Sequence, residues 1–158
     1  MQSSSRGPAA SIRWIGNERG VASYPCWATV PHRQDYNGPG DPDGSYWLPG
    51  ECDVPVRNHE WFWTPDAAHK LYSLNDLVDM YYRSVGRNCN LLLNANPNPD
   101  GLIPEPDFQR YVEFGKEIRR RFDTPLVQIE GKGAAVELNL PQPGTVDHVI
   151  IMEDIRQG

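Results

Sequence analysis

The tryptophans of this sequence are clustered, and the cluster indicates a binding site. The chain has five tryptophans, and all of them fall between Trp14 and Trp63. An indole beside polar groups suits a pocket for a sugar ring, because a pyranose presents apolar C–H faces together with hydroxyls. Packing in the core or between loops is the alternative, which we expect for Trp14 and Trp47.

Two glutamates near glycines are candidates for acid–base chemistry. Glu18 ends the stretch Gly16-Asn17-Glu18 beside Arg19, and Glu51 stands two residues before Asp53 in a loop-to-strand turn. A carboxyl group can transfer a proton to or from a substrate when it is positioned against the reacting atom. Taken by itself, a glutamate in such a loop is more typical of a solvated surface charge.

Cysteine spacing and overall charge argue against several other chemistries. The three cysteines, Cys26, Cys52 and Cys89, are odd in number and lack CxxC spacing, so they predict buried free thiols rather than a disulfide framework or a metal site. The net charge of -6, with no basic run longer than Arg119–Arg121, argues against nucleic acid as the main partner. No apolar run has the length of a membrane helix, so no membrane insertion is predicted.

Two helices are predicted from hydrophobic periodicity. The first spans Leu74 to Val85, where Ser73 and Asp76 form a capping-box pattern at the start and Gly86 supplies a stop signal. The second runs from about residue 106 to residue 122 and carries its apolar residues on one stripe.

Short strands are predicted before and between these helices. The continuous apolar run Cys89–Asn94 is typical of a strand buried on both faces of a parallel sheet. Tyr24–Val30 and Trp61–Trp63 are predicted as two further strands, each followed by a loop rich in proline, glycine and aspartate. This order of strand, loop and helix indicates an α/β fold, and its long loops are expected to carry function.

The hydrophobic period changes after Phe122, which predicts a domain boundary near Asp123. Apolar and polar residues alternate over residues 136–140, and residues 146–152 form another β-rich run. We therefore expect the start of an antiparallel β-sandwich beyond the boundary.

Six stretches occur in an order and spacing that fit one enzyme family. They are Arg13-Trp-Ile-Gly-Asn-Glu18, Tyr24-Pro-Cys-Trp27, Trp47-Leu-Pro-Gly-Glu-Cys-Asp53, the segment Tyr82–Asn94, Gly101-Leu-Ile-Pro-Glu105 and His148-Val-Ile-Ile-Met-Glu-Asp154. Together they resemble the α-L-fucosidases of glycoside hydrolase family 29, over roughly residues 12–158. The likeness is greatest to the subgroup associated with α-1,3/1,4-linked fucose.

The resemblance implies the C-terminal part of a (β/α)8 barrel followed by the start of a β-sandwich. Residues 12–123 are then a partial catalytic barrel, residues 124–158 a truncated sandwich, and residues 1–11 an atypical segment that does not fit the family. A complete barrel typically needs about 250 residues. The family's nucleophilic aspartate stands in a Trp-Phe-Asp-Gly stretch, which this sequence does not contain, so we expect a fragment that lacks the nucleophile.

The resemblance also implies roles for individual residues. Glu18 aligns with the general acid/base, and Glu51 is the alternative. A general acid needs a raised pKa, which the rings of Trp14, Trp27 and Tyr24 are expected to favour by desolvation. Glu51 is otherwise expected to orient substrate or to fix Arg57 by a charged hydrogen bond. The residues predicted to bind substrate are Trp27, Glu51, Arg57, Trp61 and Trp63.

The function implied by the family is retaining hydrolysis of terminal α-L-fucosyl linkages, without metal or other cofactor. The expected partner is a fucosylated oligosaccharide or glycoconjugate. A catalytically inactive carbohydrate-binding or structural remnant of the barrel is the alternative, because the nucleophile stretch is missing. Residues 1–6 lack the apolar core of a signal peptide, whereas the family is typically secreted or lysosomal, so the sequence predicts no compartment.

Overall fold

A computed structural model describes residues 12–32 and 36–152 of the chain, which fold around a three-stranded parallel sheet. The strands in chain order are β1 (Arg13–Trp14), β2 (Thr29–Val30), β3 (Tyr46–Trp47), β4 (Gly50–Pro55) and β5 (Cys89–Asn94). The parallel sheet has the order β1-β4-β5, while β2 and β3 form a separate antiparallel pair. The predicted α/β class is confirmed, and β5 lies where the sequence predicts it.

Two helices cover one face of the parallel sheet. Helix α1 spans Leu74–Ser84 and helix α2 spans Glu105–Phe122. The buried cluster beneath them contains Val54, Leu77 and Met80, with Val21, Tyr72, Leu91, Leu93 and Phe114 packed against it. Because side chains alternate along a strand, Glu51 and Asp53 lie on the opposite face of β4.

Both predicted helices are confirmed, and the ends of α1 follow from local chemistry. The Ser73 hydroxyl accepts a hydrogen bond from the backbone N–H of Asp76, and the Asp76 carboxylate accepts one from the backbone N–H of Ser73, both at 3.1 Å. This is the predicted capping box. At the other end Gly86 lies in a short 3-10 turn, Val85–Arg87, and the left-handed residue Asn88 (φ 64°) then turns the chain into β5.

The other predicted strands are wrong or shortened. Trp61–Trp63 forms a bend, and the strand before it is Gly50–Pro55, which the sequence pattern places in a loop-to-strand turn. Within Tyr24–Val30, only the last two residues form a strand, and they pair with β3 outside the parallel sheet. The sequence signal of β4 is weak because its six residues begin with glycine, end with proline and include two acidic side chains.

Residues 124–152 contain no helix or strand, so the strands predicted at 136–140 and 146–152 are not formed by the described residues alone, and the β-sandwich stays a prediction. A strand needs a neighbour for its backbone hydrogen bonds, and the described residues supply none to this segment. His148 nevertheless packs on the helices, since its ring stacks on Tyr82 with centroids 5.4 Å apart. The predicted atypical segment 1–11 and residues 153–158 lie outside the described residues. No helix in the described part of the chain is long and apolar enough to cross a membrane.

Candidate active site

Loops that leave the C-terminal ends of β1, β4 and β5 meet at one edge of the parallel sheet. Parallel strands bring such loops to the same side, where α/β proteins bind their ligands. Glu18 follows β1, Trp61 follows β4, and Asn94 and Asn96 stand at the end of β5. Direct hydrogen bonds join these four residues, which we call the edge cluster.

Glu18 is an exposed carboxylate that the structure joins to Trp61. The indole Nε1 of Trp61 donates a hydrogen bond to Oε2 of Glu18 at 2.8 Å, between residues 43 positions apart in sequence. A single neutral donor orients a carboxylate and leaves further lone pairs free for another partner. Glu18 is therefore fixed in direction yet open to a proton acceptor or donor from solution.

The loop that carries Glu18 is itself tied down. The Asn17 side chain accepts a hydrogen bond from the backbone N–H of Arg19 at 3.1 Å and donates one to the carbonyl of Val21 at 3.0 Å. Gly20 has a φ of 67°, and a Cβ there would lie 2.8 Å from the Cγ1 of Val54. Only glycine fits this turn, and it returns the chain to the sheet directly after Glu18.

The backbone around Trp61 is held by two asparagines from the end of β5. Asn96, which is fully buried, donates from its side-chain amide to the carbonyls of Glu60 (2.6 Å) and Phe62 (2.9 Å). Asn94 donates to the carbonyl of Trp61 at 3.0 Å and to Oδ1 of Asn96 at 3.1 Å. The carbonyls of three successive residues thus accept hydrogen bonds from side chains, not from a neighbouring strand as the predicted strand would require. These bonds fix the backbone that carries the Trp61 indole.

Glu51 and Asp53 occupy the face of β4 that the helices do not cover. Glu51 lies opposite Trp14 on β1 and opposite Asn90 on β5. The Trp14 indole donates a hydrogen bond to Oδ1 of Asp53 at 2.6 Å, so this ring is directed at Asp53. Trp14 is 40% exposed, and Leu92, which lies opposite Asp53, is 42% exposed. This face is therefore open within the described residues, and Trp14 does not pack in a core that they form.

Arg57 binds Asp107 rather than Glu51. Its Nε lies 3.0 Å from Oδ1 and 2.9 Å from Oδ2 of Asp107, and its Nη2 lies 2.9 Å from Oδ1. The two side chains are 4% and 0% exposed. The interpretation that Glu51 fixes Arg57 is therefore wrong. The guanidinium that the sequence suggests for substrate instead joins the end of β4 to the first turn of α2, where a carboxylate also suits the helix dipole.

The remaining candidate tryptophans make no described hydrogen bond to the edge cluster, and the contacts of Trp27 lie near Arg13 and Cys89, at the N-terminal ends of β1 and β5. Trp27 is 40% exposed, its carbonyl accepts a hydrogen bond from the Arg13 guanidinium, and its N–H donates to the Pro39 carbonyl at 2.7 Å. Trp63 is half-buried. Trp47 is 53% exposed on β3, so the expectation of core packing is wrong for this ring too.

The arrangement provides acid–base chemistry by carboxylates next to indole surfaces. Sequence reasoning identifies Glu18 and Trp61 but misses Asn96 and Asp107, whose importance depends on contacts with residues far away in sequence. The sequence signal for Asn96 is only that a polar residue stands two positions after the apolar run Cys89–Asn94. Among residues 12–32 and 36–152, no group of three or more His, Cys, Asp or Glu side chains could hold a metal ion.

Comparison with known proteins gives one consistent family. The family model described as alpha-L-fucosidase matches residues 14–120. A protein of Oryza sativa subsp. japonica, provisionally named alpha-L-fucosidase 1, is 47% identical over 116 residues, and alpha-L-fucosidase 1 of Arabidopsis thaliana is 41% identical over 113 residues. The matches take in 68% and 66% of this chain. The chain spans 22% of the length of each of these curated relatives.

Solved structures agree with the sequence matches. A provisionally named alpha-L-fucosidase from Bacteroides thetaiotaomicron has a TM-score of 0.74 and 45% identity, over 78% of this chain and 31% of that chain. A glycoside hydrolase family 29 fucosidase of Ruminococcus gnavus, solved in complex with fucose, has a TM-score of 0.64 and 34% identity. That match covers 73% of this chain and 25% of the other.

Proposed function

The chain belongs to the alpha-L-fucosidase family, and we propose that it forms the acid–base side of an active site that hydrolyses terminal α-L-fucosyl linkages. The observation that carries the proposal is the bond between Glu18 and Trp61 at the C-terminal edge of the parallel sheet. Both residues fall inside the part of the chain that matches the family. The site supplies an oriented, solvent-reaching carboxylate, which is what a general acid/base needs.

In the proposed reaction Glu18 acts twice. A retaining glycosidase uses two carboxyl groups about 5–5.5 Å apart, one as nucleophile and one as acid and then base. Glu18 first gives its proton to the oxygen of the departing group while the nucleophile attacks the anomeric carbon. It then removes a proton from the water that hydrolyses the glycosyl-enzyme. The nucleophile is proposed to lie in a Trp-Phe-Asp-Gly stretch outside this sequence.

The proposed substrate is a fucosylated oligosaccharide or glycoconjugate. L-Fucose has an apolar C6 methyl group as well as C–H faces, and the indoles of Trp61 and Trp63 offer apolar surface beside polar groups. Trp27 is not included in this pocket, because its contacts lie at the N-terminal ends of the strands. Glu51 is proposed to orient a sugar hydroxyl from the open face of β4. Arg57 is not included in this proposal, because its guanidinium is buried against Asp107. A preference for α-1,3/1,4 linkages is proposed from the resemblance alone.

The proposed architecture is the C-terminal part of a (β/α)8 barrel over residues 12–123, followed by the start of a β-sandwich. Three parallel strands with helices on one face are what part of such a barrel contains. Side chains on the uncovered face, among them Glu51, Asp53 and Asn90, would then point into the barrel. Residues 124–158 are proposed to form strands when neighbouring strands are present.

The deciding experiment compares Glu18→Gln with Glu51→Gln in the longest natural polypeptide that contains this sequence. Each variant is assayed on an aryl α-L-fucoside with a good leaving group and on a fucosyl oligosaccharide with a poor one. Removing a general acid costs about 10²–10⁴-fold. We expect Glu18→Gln to show that loss on the oligosaccharide and a smaller loss on the aryl fucoside, because a good leaving group needs less protonation. Added azide should restore its turnover by replacing the water that Glu18 activates.

Two other results would contradict the assignment of Glu18. If Glu51→Gln shows the leaving-group dependence and azide rescue while Glu18→Gln stays active, Glu51 is the acid/base. If the unsubstituted polypeptide binds fucosylated glycans but cleaves neither substrate, the carbohydrate-binding alternative is correct.

A further inference from the structure

Two cysteines far apart in sequence meet beneath the loop that carries Trp27. The Sγ of Cys26 lies 3.3 Å from the Sγ of Cys89, across 63 positions of sequence. Cys89 begins β5 and is 6% exposed, whereas Cys26 is half-buried in a loop. Cys26 also packs on the small core cluster that contains Cys52 and Cys89. The sequence gives no sign of this contact, since the spacing of the cysteines predicts separate free thiols.

We propose that Cys26 and Cys89 are a redox pair that closes to a disulfide in the presence of a low-molecular-weight disulfide. The thiolate of Cys26, the more exposed of the two, attacks one sulfur of the oxidant and releases one small thiolate. The thiolate of Cys89 then attacks the Cys26 sulfur of the mixed disulfide and releases the second. The protein loses two electrons and two protons, and the oxidant becomes two thiols. This inference is independent of the proposed function.

The geometry favours closure between these two residues. A disulfide bond is about 2.0 Å long, so the two sulfurs must approach by about 1.3 Å. Cys26 lies outside the strands, so its backbone can move without breaking a ladder of hydrogen bonds. Cys89 keeps its place in β5, opposite Gly50, whose missing side chain leaves room for the sulfur.

Cys52 is the rival partner, and the regular sheet disfavours it. In the ladder Cys52 lies opposite Leu91, two residues beyond Cys89. With a rise of about 3.3 Å per residue and a strand spacing of about 4.8 Å, the Cα atoms of Cys52 and Cys89 are about 8 Å apart. A disulfide needs Cα atoms closer than about 7 Å, so this pair cannot close without breaking β4 from β5.

The surroundings of the two thiols make disulfide formation slow. The hydrogen bond with Cys89, together with burial, raises the pKa of the Cys26 thiol well above its usual value, while the nearby Arg13 opposes this rise. The pKa of Cys89 is about 11, because its bond with Cys26, which lowers it, is outweighed by the bond with Cys52 and by burial. Few thiolates are therefore present near neutral pH, and exchange has to proceed through the small population that is ionised.

Peptide mapping tests the pairing directly. The folded polypeptide that contains this sequence is incubated with oxidised glutathione, free thiols are alkylated, and the protein is digested with trypsin without reduction. Cleavage after Arg19, Arg33, Arg57, Arg87 and Arg110 places the three cysteines in three different peptides. We expect one new species, the Cys26 and Cys89 peptides joined with the loss of two hydrogen atoms. A Cys52 linkage, or full alkylation of all three thiols after prolonged oxidation, would overturn the proposal.

Thermal melts give a second test with a matched control. A cross-link that closes a loop of this length restricts the unfolded chain, so we expect oxidation to raise Tm by roughly 5–10 °C. Cys26→Ser should abolish this shift, and Cys52→Ala should keep it. A shift that survives in Cys26→Ser would show that another change causes it. If Cys52→Ala does not fold, the peptide map of the unsubstituted protein still decides the matter.

Discussion

Replacing Asp107 with asparagine tests whether the Arg57–Asp107 pair is structural. The substitution keeps the size and one carbonyl oxygen of the side chain but removes its negative charge. The buried guanidinium of Arg57 would then make its three close contacts with a neutral amide. The remaining described hydrogen bond of the Arg57 side chain, from Nη1 to the Thr64 carbonyl, is long at 3.5 Å, so it offers little compensation.

The expected loss follows from the burial of the pair. Removing one partner of a buried ion pair typically destabilises a protein by about 3–5 kcal/mol, because the other charge stays buried without compensation. Asparagine keeps one acceptor, which favours the lower end, but the first turn of α2 also loses a charge that suits its dipole, worth about 0.3–1 kcal/mol. We therefore expect Asp107→Asn to lower the free energy of unfolding by about 3–4 kcal/mol. That is a large share of the roughly 5–15 kcal/mol that stabilises a typical domain.

Urea unfolding measures this loss, and Asp79→Asn is the matched control. Asp79 pairs with Arg83 on α1 in an i,i+4 ion pair whose side chains are 61% and 46% exposed. Such a pair contributes about 0.3–0.5 kcal/mol, so the control should lie close to the unsubstituted protein. Equal stability of Asp107→Asn and Asp79→Asn would refute the reasoning. So would a large rise in KM for Asp107→Asn without loss of stability, because Arg57 would then act on substrate.

Two further predictions concern α2 and the edge cluster. Hydrogen bonds from Arg120 and Arg121 lower the pKa of Glu117 to about 2. The stabilisation that the Glu117 carboxylate contributes is therefore complete above the ordinary glutamate pKa and is lost as pH falls toward 2. The Tm difference between Glu117→Gln and the unsubstituted protein should therefore shrink from pH 6 to pH 2; a difference independent of pH would contradict the assignment. Asn96→Ala leaves the carbonyls of Glu60 and Phe62 without their side-chain donor. We expect a loss of about 1–3 kcal/mol in urea unfolding and, because Trp61 is released, a decrease in the proposed fucosidase activity. Asn75→Ala, at an exposed position of α1, is its control, and equal effects of the two substitutions would rule out the positioning role.

Elements with local signals could be predicted from the sequence. Ser73 and Asp76 form the capping box of α1 within a single turn, so the start of that helix needs no distant partner. The apolar run Cys89–Asn94 predicts β5 because a strand buried in a parallel sheet is apolar along its length. The family resemblance rests on the same kind of information, namely ordered short motifs, and it predicted Glu18 and Trp61 as site residues.

Other features depended on partners that the sequence does not reveal. β4 is a strand because it pairs on both sides, with β1 and with β5, and not because its own residues favour extended structure. Residues 136–140 show the reverse case, since an alternating pattern without a neighbouring strand gives no strand. Trp14 is exposed for a related reason, because no layer of the described residues covers its side of the parallel sheet.

The sequence by itself determined the family, the two helices and the last strand, and it predicted Glu18 as the carboxylate for proton transfer. The tertiary structure alone decided what these residues touch. Folding brings the indole of Trp61 to Glu18 and pairs the carboxylate of Asp107 with the guanidinium of Arg57, 50 residues away in sequence. It also brought the sulfurs of Cys26 and Cys89 together. The physical reason is that propensity and capping act within a turn or two, whereas the energy of a buried charge or an oriented indole depends on groups that only folding brings near.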